Sequence, residues 1–299
     1  MTVTEADLFE GQATSTTFGS RVWYVIRRWP IVPILILVVL LIAAVFAPML
    51  APHDPIKQNL RSRLAPPMWD EEGTSTNVLG ADHVGRDIFS RIIHGARISV
   101  TVVVIGLTAG TLLGSAVGIL SGYYGGVIDE IVMFVVVVWI GVPFLMIALI
   151  VVSITGPSFG VVMTLLILNA WTGFVRNVRA EVLSLKERDY VALARVAGAS
   201  TPRIIMKHIL PGVANTIVVL ATLGSGTFIL TEATLSFLGA GIPPPTPAWG
   251  VMIAEGNNYL VDSWWIPVFP GVAILLVVMS LNFVGDWLRD RWDPRLRQL

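Results

Sequence analysis

Few side chains in this sequence could do covalent chemistry. It contains no cysteine, which excludes a disulfide, a thiol nucleophile and a cysteine-based metal site. Its four histidines, His53, His83, His94 and His208, show no metal-ligand spacing. None of the three lysines, Lys57, Lys186 and Lys207, follows a glycine, so the Gly-Lys loop that cradles a nucleotide phosphate is missing. HExxH does not occur, and no pair of aspartates lies within an apolar run, which argues against an intramembrane hydrolase. The acidic candidate inside the apolar runs is Glu232, with Asp286 at the end of another run. Glu232 reads as a structural or gate-lining residue, and ion coupling is the alternative. The chain is expected to be no enzyme and to bind neither metal nor cofactor itself.

The segment with the most polar character between apolar runs is Ser184 to Pro211, SLKERDYVALARVAGASTPRIIMKHILP. It reads as two short helices joined by a sharp corner. Ser184 with Glu187 fits a capping box, and Asp189 is a second candidate cap. Tyr190, Leu193, Ala194 and Ala197 fall at i, i+3, i+4 and i+7, which makes one apolar stripe. Gly198 stands where a helix C-terminus needs a left-handed residue. Ser200 or Thr201 can cap the next helix, with Pro202 in its first turn, and Pro211 closes the unit. The competing reading is a solvated loop with two amphipathic turns.

Composition says what surrounds this corner. The chain has 299 residues, 55% hydrophobic and only 13% charged, against about 25% charged in soluble domains. Mean hydropathy is +0.76. Zero net charge argues against a nucleic-acid partner. A polar, Ser/Thr/Gly-rich tail precedes Ile31–Leu50, an apolar run of twenty residues, enough to cross about 30 Å of hydrocarbon. Proline at 48 and 52 suits a signal-peptide cleavage site poorly, so an uncleaved anchor is expected, with Trp23, Tyr24 and Trp29 at the inner interface. Further spans are expected at Val100–Leu120, Ile128–Ile150 with a kink at Pro143, Val161–Val175, Val213–Leu235 and Ile266–Val284. Between the first two, Ile88, Phe89, Ile92 and Ile93 form an apolar face opposite Arg86, Asp87, Arg91 and His94. That helix is expected to lie in the membrane surface or against the external loop. Gly106, Gly110, Gly114 and Gly118 recur every four residues and predict a helix-packing face, because small residues let backbones approach in lipid. With the N-terminus inside, fourteen Arg and Lys fall on the inner side and six outside, all in the long first loop. The 184–211 corner is therefore expected to be cytoplasmic.

At this corner the sequence resembles the permease subunits of ABC importers. Their signature runs Glu-Ala-Ala, three residues, Gly, nine residues, Ile, one residue, Leu-Pro, and Ala194, Gly198, Leu210 and Pro211 match it. Ala192, Leu193 and His208 replace the Glu, the first Ala and the Ile. LGADHVGRDIFSRIIHGARISV (79–100), SGYYGGVID (121–129), ILTEATLSFLGAGIPPPTPAWGVMIAEG (229–256) and LRDRWDPRLR (288–297) resemble the dipeptide/oligopeptide subfamily, and the likeness runs from about residue 30 to the end. The resemblance implies an all-α integral membrane protein of six transmembrane helices with the type I ABC importer permease fold. Its parts would be a cytoplasmic tail (1–28), a first helix (29–50), an external loop (51–97), a five-helix core (98–286) and a cytoplasmic C-terminal tail (287–299). It implies a second homologous permease subunit, two cytoplasmic ATPases that bind ATP and Mg, an extracytoplasmic substrate-binding protein, surrounding lipid, and short peptides as substrate. Nickel, glutathione or another small solute is the alternative cargo. Asp189, Tyr190, Leu193, Ala194, Ala197, Gly198, Ala199, Ser200 and Pro211 would form the ATPase-coupling element. From another class, the rival reading is an ion-coupled secondary transporter, which would need ionisable residues at mid-membrane.

Overall fold

Hydrocarbon offers no partner to an open backbone N–H, so apolar runs of this length are driven into helices. The structure, a computed structural model, describes residues 30–292. The tail at 1–28, its expected interface aromatics with Trp29, and residues 293–299 lie outside the described residues. Among those described, every regular element is helical. In order they are α1 (Ile31–Val45), α2 (Ala47–Leu50), α3 (Ile88–Val102), α4 (Thr108–Tyr124), α5 (Gly126–Gly141), α6 (Phe144–Thr155), α7 (Phe159–Leu185), α8 (Asp189–Val196), α9 (Thr201–Ile204), α10 (Leu210–Phe237), α11 (Trp249–Gly256) and α12 (Trp265–Trp292). Short π turns at Val103–Leu107 and Ile205–Ile209 join α3 to α4 and α9 to α10. Each joined pair is thus one helix of 37 residues.

Among the described residues, four helices are long and apolar enough to cross a membrane, and the α5/α6 pair makes a fifth. The α1 helix has 15 residues and continues through α2 to Leu50, a geometry compatible with six spans. One end of the bundle carries the segments 51–87 and 238–264, here called the loop end. The other carries the 186–200 corner.

The third span differs from a kinked helix: α5 and α6 meet at 82°. Pro143 supplies the reason. It has no N–H for the helix ladder and forces Val142 out of the helical region, to φ −102° and ψ 127°. The helix at Ile88 packs against the external loop, the second of its two expected placements, through His53, Asn77 and Trp249. It is no separate surface helix but the first turns of the second span, and its polar side is buried: Arg86, Asp87 and Arg91 are all less than 5% exposed. The charges are covered because the loop end folds over them.

The glycine row sets how closely α4 and α7 pack. A Cβ at Gly110 would come within 2.7 Å of the Ala170 methyl. At Gly114 it would strike the Trp171 carbonyl and lie 2.7 Å from Phe174 Cβ, and at Gly118 it would reach the Val175 carbonyl at 2.9 Å. Gly106 instead faces the Phe228 ring on α10 and Met163 on α7. A leucine at 114 therefore has nowhere to go, since the obstacle is backbone. Gly114→Leu is expected to abolish recovery of folded permease in mild detergent. Leu112→Ala, at a position 67% exposed, should leave recovery near wild type. Size-exclusion profiles of the two variants make the comparison; equal recovery would remove the glycine face from this role.

Candidate functional site

The corner is built differently from its sequence pattern at both ends. The α7 helix runs on through Leu185, so Ser184 lies in a helix turn and the Ser184–Glu187 capping box does not form. Arg188 takes the N-cap position of α8, in extended backbone and without a side-chain cap. Asp189 is instead in the first turn, where the helix dipole favours an acid. At the far end Pro211 does not close the unit. It lies in the first turn of α10 with helix on both sides. The preceding π turn widens the helix where the proline lacks an N–H to donate.

Between these ends the corner is closely specified. The α8 helix stops in a Schellman motif: Ala199 N–H donates to the Ala194 carbonyl and Gly198 N–H to that of Arg195, both at 3.0 Å. Gly198 has φ +77°, with no atom within 4 Å of where a Cβ would stand. Glycine is thus needed for its backbone conformation and not for want of space. Ser200 occupies the N-cap of α9 without a side-chain bond, and Pro202 falls in the first turn.

Burial divides α8 into two sides. Val191 is fully buried in a cluster with Ile119 of α4, Val178 and Val182 of α7, Ile204, Ile209 and Val213, and Ala194 packs against that cluster. The apolar stripe read from the sequence points elsewhere. Tyr190 is 44% exposed, Leu193 67% and Val196 88%, and Ala197 and Gly198 are exposed beside them. The turn at 121–129 braces the same end. Arg179 makes a bidentate pair with Asp129 (2.5 Å for each bond), Ser121 Oγ donates to Asp129, and Lys186 Nζ donates to the Gly122 carbonyl at 2.9 Å.

At the loop end four charged side chains form a buried network. Arg86 pairs with Asp82 (2.6 Å) and Glu255 (2.7 Å); Arg91 pairs with Asp82 and, at 3.0 Å, with Glu255. Burial pushes the Asp82 carboxyl up, but Arg91, the Arg86 N–H and the Arg86 guanidinium outweigh this and hold it below the usual carboxylate range. Asp82, His83 and Glu255 have the proximity of a metal-ligand set. Because both carboxylates are already neutralised by guanidinium groups, the group is an ion-pair cluster. Nearby, Asp87 caps α3 by accepting from Ser90 N–H (2.8 Å), and the indole N–H groups of Trp249 and Trp265 donate to the carbonyls of Ile92 and Ala81. Glu232 is 2% exposed and accepts from Ser236 Oγ at 2.6 Å, while Ser236 Oγ accepts from Ile242 N–H. It helps to fix the fold-back of the loop after α10.

The family model described as "Binding-protein-dependent transport system inner membrane component" matches residues 114–298, more than half of the chain, corner included. The chain belongs to this family. A second model, the N-terminal transmembrane domain of oligopeptide transport permease C, matches residues 21–67. The chain is 41% identical over 278 residues to the dipeptide transport system permease protein DppC of Escherichia coli (strain K12), covering 92% of this chain and 93% of that protein. It is 37% identical to the protein of that name from Haemophilus influenzae, over 92% and 94% of the two chains. It is 38% identical to the di/tripeptide transport system permease protein DppC of Pseudomonas aeruginosa, over 88% and 87%.

In this binding-protein-dependent permease the residues that resemblance pointed to, 189–200, are brought together on one corner, while Pro211 stands apart in α10. Sequence reasoning missed Val191, the buried anchor of α8, since a single valine beside an apolar stripe carries no mark of burial. It also missed the Arg91 network. Removing one partner from a buried ion network leaves the others uncompensated, at a cost of about 3–5 kcal/mol. Arg91→Ala is therefore expected to lower the thermal unfolding midpoint of the purified permease well below that of Arg97→Ala, an exposed position on the same helix. Equal midpoints would show the network to be dispensable.

Proposed function

We propose that this permease is the transmembrane subunit of an ATP-driven importer that takes up short peptides handed over by an extracytoplasmic binding protein. The observation that carries this reading is the corner itself. A chain without ATP-binding residues presents Tyr190, Leu193 and Val196 to solvent on a two-helix knob whose other side is locked into the bundle. An exposed apolar face of that kind, on a fixed support, suits a partner's groove. The names of the full-length relatives support peptides as the cargo.

The partners follow from the family's description and the resemblance at the corner: a sister permease that completes the pore, and two cytoplasmic ATPases that hold ATP and Mg. Closure of the ATPases displaces α8. Because Val191 shares one core cluster with α7 and α10, the displacement reaches both helices as a rigid-body movement and switches the access of the pore. The orientation puts the corner in the cytoplasm and the loop end outside, where the binding protein docks. Ion coupling has little support, since Glu232 is buried and bonded within the loop end.

Two measurements test this. In the cysteine-free chain, Ser75→Cys should react with a membrane-impermeant thiol reagent in intact cells, and Ser184→Cys only after permeabilisation. Labelling of Ser184→Cys from outside would invert the topology and end the coupling argument. Second, Gly198→Asp adds about 1 kcal/mol of backbone strain. It also places a carboxylate where the knob meets its groove, with a desolvation penalty of several kcal/mol. Peptide uptake by the reconstituted transporter should fall to background while the two permeases remain paired. Glu187→Ala, at an exposed residue that caps nothing, should transport normally. Normal uptake and normal ATPase stimulation in Gly198→Asp would show that 184–211 is not the coupling element.

A further inference from the structure

A groove of about 290 Å³ opens between α7 and α10, with Leu107 at its edge. Asn169 and Asn177 of α7 and Thr227 and Thr231 of α10 line it, and Gly173 and Gly224 leave it wide. Asn169, Gly173 and Asn177 recur every four residues, so the two carboxamides stand on one helix face. Thr227 and Thr231 repeat the spacing on the facing helix.

Most of the hydrogen-bonding capacity in this groove is unused. Thr231 Oγ1 donates to the Thr227 carbonyl at 2.8 Å, within its own helix. Asn177 gives one N–H to the Gly173 carbonyl at 2.9 Å, which leaves its second N–H and its oxygen open. The Asn169 carboxamide, near the middle of the apolar part of α7, bonds to none of the described residues. A carboxamide turned toward lipid would be costly, so polar groups at this depth face water or another solute. No charged side chain is among the described residues that line the groove. Arg176, next to Asn177 in the chain, is exposed and does not line the groove.

We infer that the α7–α10 groove is the wall this subunit contributes to the substrate path, and that Asn169 and Asn177 hold peptide main chain without reading side-chain charge. The inference rests on the peptide-import reading. A carboxamide offers one acceptor and two donors, which complement the C=O and N–H of a peptide bond whatever its side chains. The groove lies at the lower edge of the ~300–1,000 Å³ typical of small-molecule sites, as suits one wall of a path closed by a sister subunit.

The test uses the complete transporter in liposomes: this chain, its sister permease, the ATPases and the binding protein. Asn169→Cys and Thr227→Cys are expected to react with a hydrophilic thiol reagent, and the modification should abolish dipeptide uptake. Leu230→Cys, exposed on α10 but outside the groove, should stay unreactive. Asn169→Asp should change the ratio of alanyl-lysine to alanyl-glutamate uptake by roughly fivefold in favour of the basic peptide, because it places one charge in an uncharged groove. Asn169→Ala should lower both uptakes equally. Thr227→Cys keeps the test open if the Asn169 variants fail to assemble, as judged by recovery of the complex in detergent. If the cysteines stay unreactive, or react without loss of uptake, while the unmodified complex imports dipeptides, the groove is not on the substrate path and this inference fails alone. If the unmodified complex couples ATP hydrolysis to its binding protein but moves neither dipeptide, the peptide-import reading fails with it.

Discussion

The contact between the glycine face of α4 and the backbone of α7 is the constraint on which the rest of this structure depends. In lipid, two helices gain nothing from hiding apolar surface from each other, so association must come from close dispersion contacts. Gly110, Gly114 and Gly118 make that possible by removing the side chains that would hold the backbones apart. Once Ala170, Phe174 and Val178 are turned toward α4, the helical period fixes where the other residues of α7 point. Asn169, Gly173 and Asn177 are rotated out of that contact and into the α7–α10 groove. Val178 and Val182 continue the contact to the corner end, where they meet the buried side of α8.

What could be read from the sequence was local and periodic. The four-residue glycine repeat is visible because its spacing matches a helix face. Gly198 is visible because a left-handed C-terminus selects glycine, and the structure places it at φ +77°. Features that depend on distant partners were harder to see. Alternating charges at Arg86, Asp87 and Arg91 look like the solvated side of an amphipathic helix. They are buried because Glu255, 169 residues from Arg86, arrives with α11 to complete the network. Pro211 looks like a helix end, and only the adjoining π turn shows how the chain continues through it. The capping signal at Ser184 was chemically sound but lost to tertiary context, since packing against Gly122 and Gly212 holds α7 helical through Leu185.

The apolar stripe of α8 shows why periodicity alone cannot assign a face to the core. Tyr190, Leu193, Ala194 and Ala197 satisfy the helical template, yet of the four only Ala194 packs inward. The helix is too short to be stable alone, because isolated helices of fewer than about 12 residues are marginal in water. Its stability comes from Val191, the Schellman closure and the neighbouring turns. Local propensity thus sets the shape, and the outward face is left exposed.

Groove and corner are parts of one mechanical unit, because both are carried by α7 and α10. At the corner end the two helices are joined through Val178, Val182, Ile209 and Val213, with Val191 of α8 in the same cluster. At the level of the groove, Gly173 and Gly224 leave a gap between them, while α7 stays seated on α4. A force applied to α8 therefore enters where α7 and α10 are tied together. The groove lies farther along, between the same two helices, beside the buried pair Phe174 and Phe228. A packed cluster resists continuous deformation, so it passes a displacement on as a rigid body. The same two helices thus carry the exposed corner at one end and the polar groove farther along.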